Sequence, residues 1–248
     1  MDASTLLCIG HRGAMGLEPE NTLRAIGRAI ELGAACIEID VQWIDNHLMV
    51  FHDERLERTT NGSGALRDHS FEALRLLDAG KGEHIPTLEE VCNLLDGRAG
   101  LNIEIKGPDA AAPVMATINA LTAVGRDKET FLLSAFSHSV LRKIHRLDPD
   151  LKLGVLSAGA VSEDLRFAVE LGAFSIHPHR ETVSQPFVSQ ARAAGLAVYV
   201  YTVNDPQEIL RMRDLGVDGI FTDFPDRIAN PASGKVDPPF WTRRPIPP

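Results

Sequence analysis

A chain of 248 residues, 44% apolar and 24% charged, has the composition of a soluble globular protein and is long enough to bury one large core. Its net charge of −9 argues against broad binding to nucleic acid or to anionic membrane, so any phosphate it handles must meet local cations. No stretch reaches the roughly 20 apolar residues of a membrane span, and the first motif begins at His11, too early for a signal core to precede it. Cys8, Cys36 and Cys92 form no C-x-x-C pair and read as buried reduced thiols, so a cytoplasmic protein without a membrane anchor is expected.

Taken in chain order, the apolar run 6–10 predicts a strand that ends in His11-Arg12-Gly13. Pro19-Glu20-Asn21-Thr22 reads as a helix start, with Asn21 or Thr22 as N-cap, and apolar periodicity carries the helix over 23–32. A second strand, 36–41, places Glu38 and Asp40 two residues apart on one face. The run 48–52 follows after too short a link for a parallel crossover, so it must turn back as an antiparallel hairpin above the barrel rim. Its register bears on His52. A two-residue turn pairs His52 with Ile39, on the wrong face; a three-residue turn or a bulge pairs it with Asp40, and the functional reading asks for the latter. Residues 54–86, turn-rich at 58–64 and helical near 71–77, read as an insertion over the barrel mouth. Strands near 101–106, 131–135, 151–156, 174–177, 197–203 and 219–222 then alternate with helices near 88–95, 112–124, 139–146, 163–171, 186–194 and 206–215. Several of the helices end in glycine, as C-caps do.

Eight strands with helical crossovers in this length predict an α/β protein, a (β/α)8 TIM barrel with a short insertion after the second barrel strand. An open doubly wound sheet is the alternative, disfavoured because no glycine-rich dinucleotide fingerprint follows the first strand. The expected organisation is one domain over residues 1–230 and a proline-rich tail, 231–248, extended or disordered.

Chemistry in eight-stranded barrels sits at the C-terminal strand ends. There, His11 and Arg12, Glu38 and Asp40, and Glu104 and Lys106 close three successive barrel strands. Each piece has a structural reading: a satisfied histidine, a surface acid pair, a lysine neutralising its neighbour. Their joint occurrence at successive strand ends is what points to a site. Glu38, Asp40 and Glu104 make an all-oxygen set that suits Mg²⁺ or Ca²⁺ (Mn²⁺ as a further option) better than zinc. Arg12 can fork onto a phosphate and Lys106 adds a point charge. His11 and His52 then serve as a general acid–base pair, the two proton transfers that phosphodiester cleavage needs.

These residues belong to a longer string: His11-Arg12-Gly13, Pro19-Glu20-Asn21-Thr22, Glu38-x-Asp40-Val41, His52-Asp53, Arg58-Thr59-Thr60-Asn61-Gly62, Ile85-Pro86-Thr87-Leu88-Glu89-Glu90 and Glu104-Ile105-Lys106. It continues with Ser134-Ala135-Phe136, Thr202-Val203-Asn204 and Thr222-Asp223-Phe224-Pro225. Over about residues 7–230 this resembles the glycerophosphodiester phosphodiesterase family. The resemblance implies a TIM barrel that hydrolyses glycerophosphodiesters to an alcohol and glycerol 3-phosphate. It implies a divalent cation on Glu38, Asp40 and Glu104, and His11 and His52 as the catalytic pair. It also implies Arg12, Lys106, Glu20, Asn21 and Tyr201 on the phosphate and substrate side. Two departures stand out: Tyr201 replaces the tryptophan often found before Thr-Val-Asn, and the short insertion, running 77–84 directly into Ile85-Pro86-Thr87, lacks the aromatic residues common there, which suggests a more open mouth. His177 and His179, ending the sixth barrel strand, either line the glycerol side or are solvated. Lysophospholipid cleavage at the same bond, and a catalytically inactive phosphometabolite-binding protein, are the alternative readings. The sequence leaves open the head group, the metal, attack by water against attack by the glycerol 2-hydroxyl, and the oligomeric state.

Overall fold

The computed structural model describes residues 6–228 and Trp241. In chain order the strands are β1 (Leu7–Gly10), β2 (Cys36–Ile44), β3 (His47–Val50), β4 (Gly100–Ile105), β5 (Phe131–Ala135), β6 (Lys152–Ser157), β7 (Ser175–Pro178), β8 (Ala197–Val200) and β9 (Gly219–Thr222). The helices are α1 (Leu23–Glu31), α2 (Phe71–Arg75), α3 (Leu88–Leu95), α4 (Ala111–Ala123), α5 (His138–Leu147), α6 (Val161–Leu171), α7 (Gln185–Ala193) and α8 (Pro206–Leu215). All strands but β3 pair in parallel, in the order β1-β2-β4-β5-β6-β7-β8-β9, and β9 returns to β1 through Leu7↔Gly219 to Gly10↔Thr222. The expected (β/α)8 barrel is therefore closed.

Alternation along the strands separates two kinds of core. Outward residues such as Ile37, Ile39, Ile103, Leu133, Val155, Ile176, Val198 and Ile220 pack under the helices in one large cluster. Each fully buried aliphatic side chain there contributes about 1.5–3 kcal/mol relative to leaving it in water. Inward residues Ile9, Cys36, Leu132, Tyr199 and Phe221 fill the lower barrel and meet Trp241. Trp241 is buried, its indole N–H donates to the Thr130 carbonyl (2.9 Å), and its ring lies 6.0 Å from that of Tyr199. Thr130 immediately precedes β5, so Trp241 sits at the N-terminal end of the barrel. The rest of the proline-rich tail, read as extended or disordered, lies outside the described residues.

Local chemistry sets the elements that carry the site. Gly13 turns the chain from β1 toward α1 at φ +84°, and a Cβ there would meet the Ala25 carbonyl carbon at 2.5 Å. Thr22, not Asn21, caps α1: its hydroxyl accepts from Ala25 N–H (3.2 Å). At the start of α3, Thr87 and Glu90 form a reciprocal capping box.

The hairpin differs from the expectation. Ile44 pairs with His47, so the turn holds two residues, Asp45 and Asn46, both left-handed (φ 47° and 60°), as a tight hairpin asks. Neither a third turn residue nor a bulge is present. Val41 pairs with Val50, and Phe51 N–H still donates to the Asp40 carbonyl (3.0 Å). His52 then leaves the ladder. The Gln42 amide draws the next stretch aside by donating to the carbonyls of Phe51 (3.0 Å) and Asp53 (2.9 Å). A buried side chain, not the turn length, frees His52 from strand alternation. Beyond it, Leu56, Leu66, Leu74 and Ile85 build a small core of their own with Ile44, Met49 and Phe51.

Candidate active site

A cavity of about 340 Å³ opens at the C-terminal strand ends, where the sequence placed the chemistry. Its wall joins His11 and Arg12 after β1, Glu38 of β2, His52 beyond the hairpin, and Glu104 and Lys106 at the end of β4. On the far side stand Phe136, His179, Arg180 and Tyr201.

The parallel register sets Asp40 beside Glu104, and the i, i+2 spacing sets Glu38 beneath Asp40 on the same face. One oxygen from each of Glu38, Asp40 and Glu104 lies within 4.8 Å of the others. All three carboxylates are withdrawn from water. Burial pushes Glu38 and Glu104 up from the usual carboxylate range, and the Asp40 charge adds to the push. Burial opposes ionisation of Asp40 as well, but Lys106 and then Arg12 hold it low. The Lys106 ammonium is 2.7 Å from Glu104 and 3.2 Å from Asp40, and Arg12 Nε stands 3.2 Å from Asp40 without hydrogen-bond alignment. Three crowded oxygen donors, two of which resist losing their protons alone, are the donor set and spacing that a hard divalent cation fits.

Each histidine of the expected pair is fixed through one ring nitrogen. His11 Nδ1 meets Asp223 at 2.7 Å, and Asp223 in turn accepts from the Asn204 amide (2.6 Å). Asn204 Oδ1 accepts the Asp223 backbone N–H (2.9 Å), which closes the loop. Burial alone would lower the His11 pKa, but Asp223 and Glu38 more than offset it and raise the ring above 6.5. His52 Nδ1 meets Asp53 at 2.5 Å, and Asp53 is held at about 2, first by Arg58 and also by His52 itself. A carboxylate only accepts, so both rings carry hydrogen on Nδ1 and leave Nε2 for chemistry.

Two expected substrate-side residues take supporting positions. Glu20 accepts from Arg12 Nη1 (2.6 Å), so it fixes the guanidinium. Asn21 is buried and braces Asp40: its amide donates to the Asp40 carboxylate (2.9 Å) and its carbonyl accepts the Asp40 backbone N–H (3.3 Å). Arg12 and Asn21 both adopt left-handed backbone (φ 50° and 56°), costly for an arginine. That turn lets Arg12 N–H reach Glu38 (2.9 Å) and Asn21 N–H reach the Arg12 carbonyl (3.0 Å).

Opposite the charges, Phe136 is 46% exposed and lies edge-on to Tyr201 at 6.1 Å. The Tyr201 hydroxyl donates to the Ser157 carbonyl (3.0 Å), which pins the ring. Of the two histidines at the end of β7, His179, just past the strand, reaches the cavity, whereas His177 is buried below it between Tyr199 and Phe221. Its Nε2 pairs with the Ser175 hydroxyl (2.8 Å), and burial pushes it down to about 3, so it stays neutral.

The residues whose roles sequence reading missed are Asp223, Asn204, Asp53 and Arg58. A signal existed for Asp223. Closure of a barrel sets the last strand beside the first, and an acid just past the last strand end then faces His11.

The glycerophosphoryl diester phosphodiesterase family model matches residues 11–227. A glycerophosphodiester phosphodiesterase of Caldanaerobacter subterraneus subsp. tengcongensis is 38% identical over 235 residues, 90% of this chain and 96% of that one. One from Bacillus altitudinis is 36% identical, covering 88% of this chain and 94% of its own. Among solved structures, an Oleispira antarctica phosphodiesterase in complex with the product sn-glycerol-3-phosphate superposes with a TM-score of 0.83 at 30% identity, over 90% of this chain and 95% of that one. A glycerophosphodiester phosphodiesterase from Agrobacterium tumefaciens superposes with a TM-score of 0.78, also at 30% identity, over 90% and 99% of the two chains. The matched span begins at His11 and runs past Asp223, most of the chain, and the chain belongs to the glycerophosphoryl diester phosphodiesterase family.

Proposed function

We propose that this enzyme hydrolyses glycerophosphodiesters to an alcohol and glycerol 3-phosphate, with His11 and His52 as the acid–base pair and one divalent cation on Glu38, Asp40 and Glu104. The observation that carries the reading is a pair of histidines on one cavity wall, each tied through Nδ1 to an aspartate, beside a buried carboxylate trio. The bound cation would supply charge stabilisation for a phosphoryl oxygen. Arg12 and Lys106, both on the cavity wall, bind and orient the remaining phosphate oxygens. His11, raised by Asp223 and Glu38, suits the protonated role and gives its Nε2 proton to the leaving alcohol oxygen. His52 Nε2 takes the proton of the attacking hydroxyl, either water, which gives glycerol 3-phosphate directly, or the glycerol 2-hydroxyl, which gives a cyclic phosphate that water then opens to glycerol 3-phosphate. Tyr201 and Phe136 offer apolar faces to the glycerol carbons. Glu20 and Asn21 act through Arg12 and Asp40, which they hold.

No helix among the described residues is long and apolar enough to cross a membrane. Three buried cysteines, Cys8, Cys36 and Cys92, with no C-x-x-C pair among them, fit a reducing, cytoplasmic setting. Small-molecule substrates, without a nucleic-acid partner, fit the acidic surface. The test is release of glycerol 3-phosphate from glycerophosphocholine and glycerophosphoethanolamine, with lysophosphatidylcholine as a parallel substrate. Release from the glycerophosphodiesters is expected. Cleavage of the lysophospholipid alone would overturn the substrate class, and turnover of none of the three would overturn the activity.

A further inference from the structure

Arg58 opens the insertion, outside the cavity wall, with its side chain 49% exposed. Its guanidinium nevertheless makes four short bonds, all to two carboxylates. Nη1 and Nη2 donate to Glu20 at 2.6 and 2.8 Å. Nε and Nη2 donate to Asp53 at 2.5 and 3.0 Å. Glu20 and Asp53 come from different loops, and each grips a site group with the same oxygen that Arg58 Nη2 touches. Glu20 Oε1 also accepts from Arg12, and Asp53 Oδ1 also accepts from His52.

We propose that Arg58 is a positioning residue that sets how strongly Glu20 holds Arg12 and how firmly Asp53 aims His52. The inference rests on the phosphodiesterase reading above. Glu20 is 9% exposed and lies between two arginines, so its charge is shared. Without Arg58 the whole charge falls on Arg12, which already faces Asp40 and Glu38, and Arg12 has less positive potential left for a phosphate. That loss appears in KM. Asp53 is fixed by a fork on one side and by His52 on the other. Without the fork it swings with His52, and the loss appears in kcat. A plain exposed ion pair would do neither, since its removal leaves kinetics untouched and stability nearly so.

The experiment compares wild type, Arg58→Gln, Arg58→Lys and the double variant Glu20→Gln/Arg58→Gln by kcat and KM on glycerophosphocholine and by thermal melting. Arg58→Gln is expected to lower kcat/KM by about 10–100-fold with both parameters changed. Arg58→Lys, which keeps the charge but not the fork, should recover KM more than kcat. Adding Glu20→Gln to Arg58→Gln should lower KM again by about fivefold and leave the kcat loss in place. Should Arg58→Gln not fold, the double variant, relieved of the surplus carboxylate, carries the same test through its kcat. Wild-type kcat in the folded Arg58→Gln or double variant would overturn the proposal while leaving the phosphodiesterase reading intact. An inactive wild type would instead overturn that reading.

Discussion

The two ends of this barrel use the same strands for opposite chemistry. At the N-terminal end the inward positions are Ile9, Cys36, Leu132 and Tyr199, closed below by Trp241. Two residues further along the same faces stand His11, Glu38, Ser134 and Tyr201. The lower end is packed, dry and stabilising. The upper end crowds three carboxylates that Lys106 and Arg12 only partly offset. Stability and catalysis are thus separated by one strand repeat, about 7 Å along a strand, and substitutions at the two ends should separate cleanly.

The sharpest contrast is expected at the top. His11→Ala or His52→Ala should lower kcat by about 10²–10⁴-fold, the worth of a positioned proton donor or acceptor, with the melting temperature nearly unchanged. Full activity in either would remove that residue from the pair. At the bottom, Trp241→Ala should cost about 3–5 kcal/mol in denaturant unfolding, while KM stays as it is; a loss below about 1 kcal/mol would mean that the indole does not anchor the barrel in solution.

Glu38→Gln should couple the two properties with opposite signs. Folding raises the Glu38 pKa, so in the cation-free protein its charge costs more stability as pH rises above the unfolded value of about 4.3. The amide should therefore stabilise chelated protein at pH 8 by about 1 kcal/mol or more while abolishing turnover. A destabilised Glu38→Gln would argue that the carboxylate is satisfied without a cation.

A more gradual effect, one that builds up as pH falls, lies between the two ends. His177 is neutral in both folded and unfolded states above pH 6.5, but the folded state refuses the proton down to about 3. Stability should fall as pH drops through that window, by up to about 1.4 kcal/mol per pH unit. His177→Gln should flatten the slope. Because Gly154 makes room for the ring (a Cβ there would lie 2.4 Å from His177 Cε1), Gly154→Ala should be disruptive by contrast.

The same division explains what the sequence disclosed. Strand ends rich in charge are visible because they interrupt apolar runs, so Glu38, Asp40, Glu104 and His11 could be placed from periodicity and the barrel from its repeat. Asp223 escaped because its contact with His11 spans 212 residues and exists only once β9 meets β1. For His52 register arithmetic names the wrong cause: a two-residue turn alone sets the ring on the wrong face, whereas the Gln42 amide, which no register count includes, redirects the chain. Trp241 sits in a composition that reads as a loose tail, and only the open lower end of the barrel gives its ring a place to go. Arg58 carries no role that a local pattern shows, because Glu20 and Asp53 converge on it only in the fold.

The most direct test of the charged upper end is turnover of glycerophosphocholine by protein treated with EDTA and then supplied with Mg²⁺, Ca²⁺ or Mn²⁺. The account predicts loss of glycerol 3-phosphate release on chelation, recovery with at least one of the cations, and no recovery in Glu38→Gln. Undiminished release from fully chelated protein would contradict it, because the carboxylate trio would then have no cation to hold.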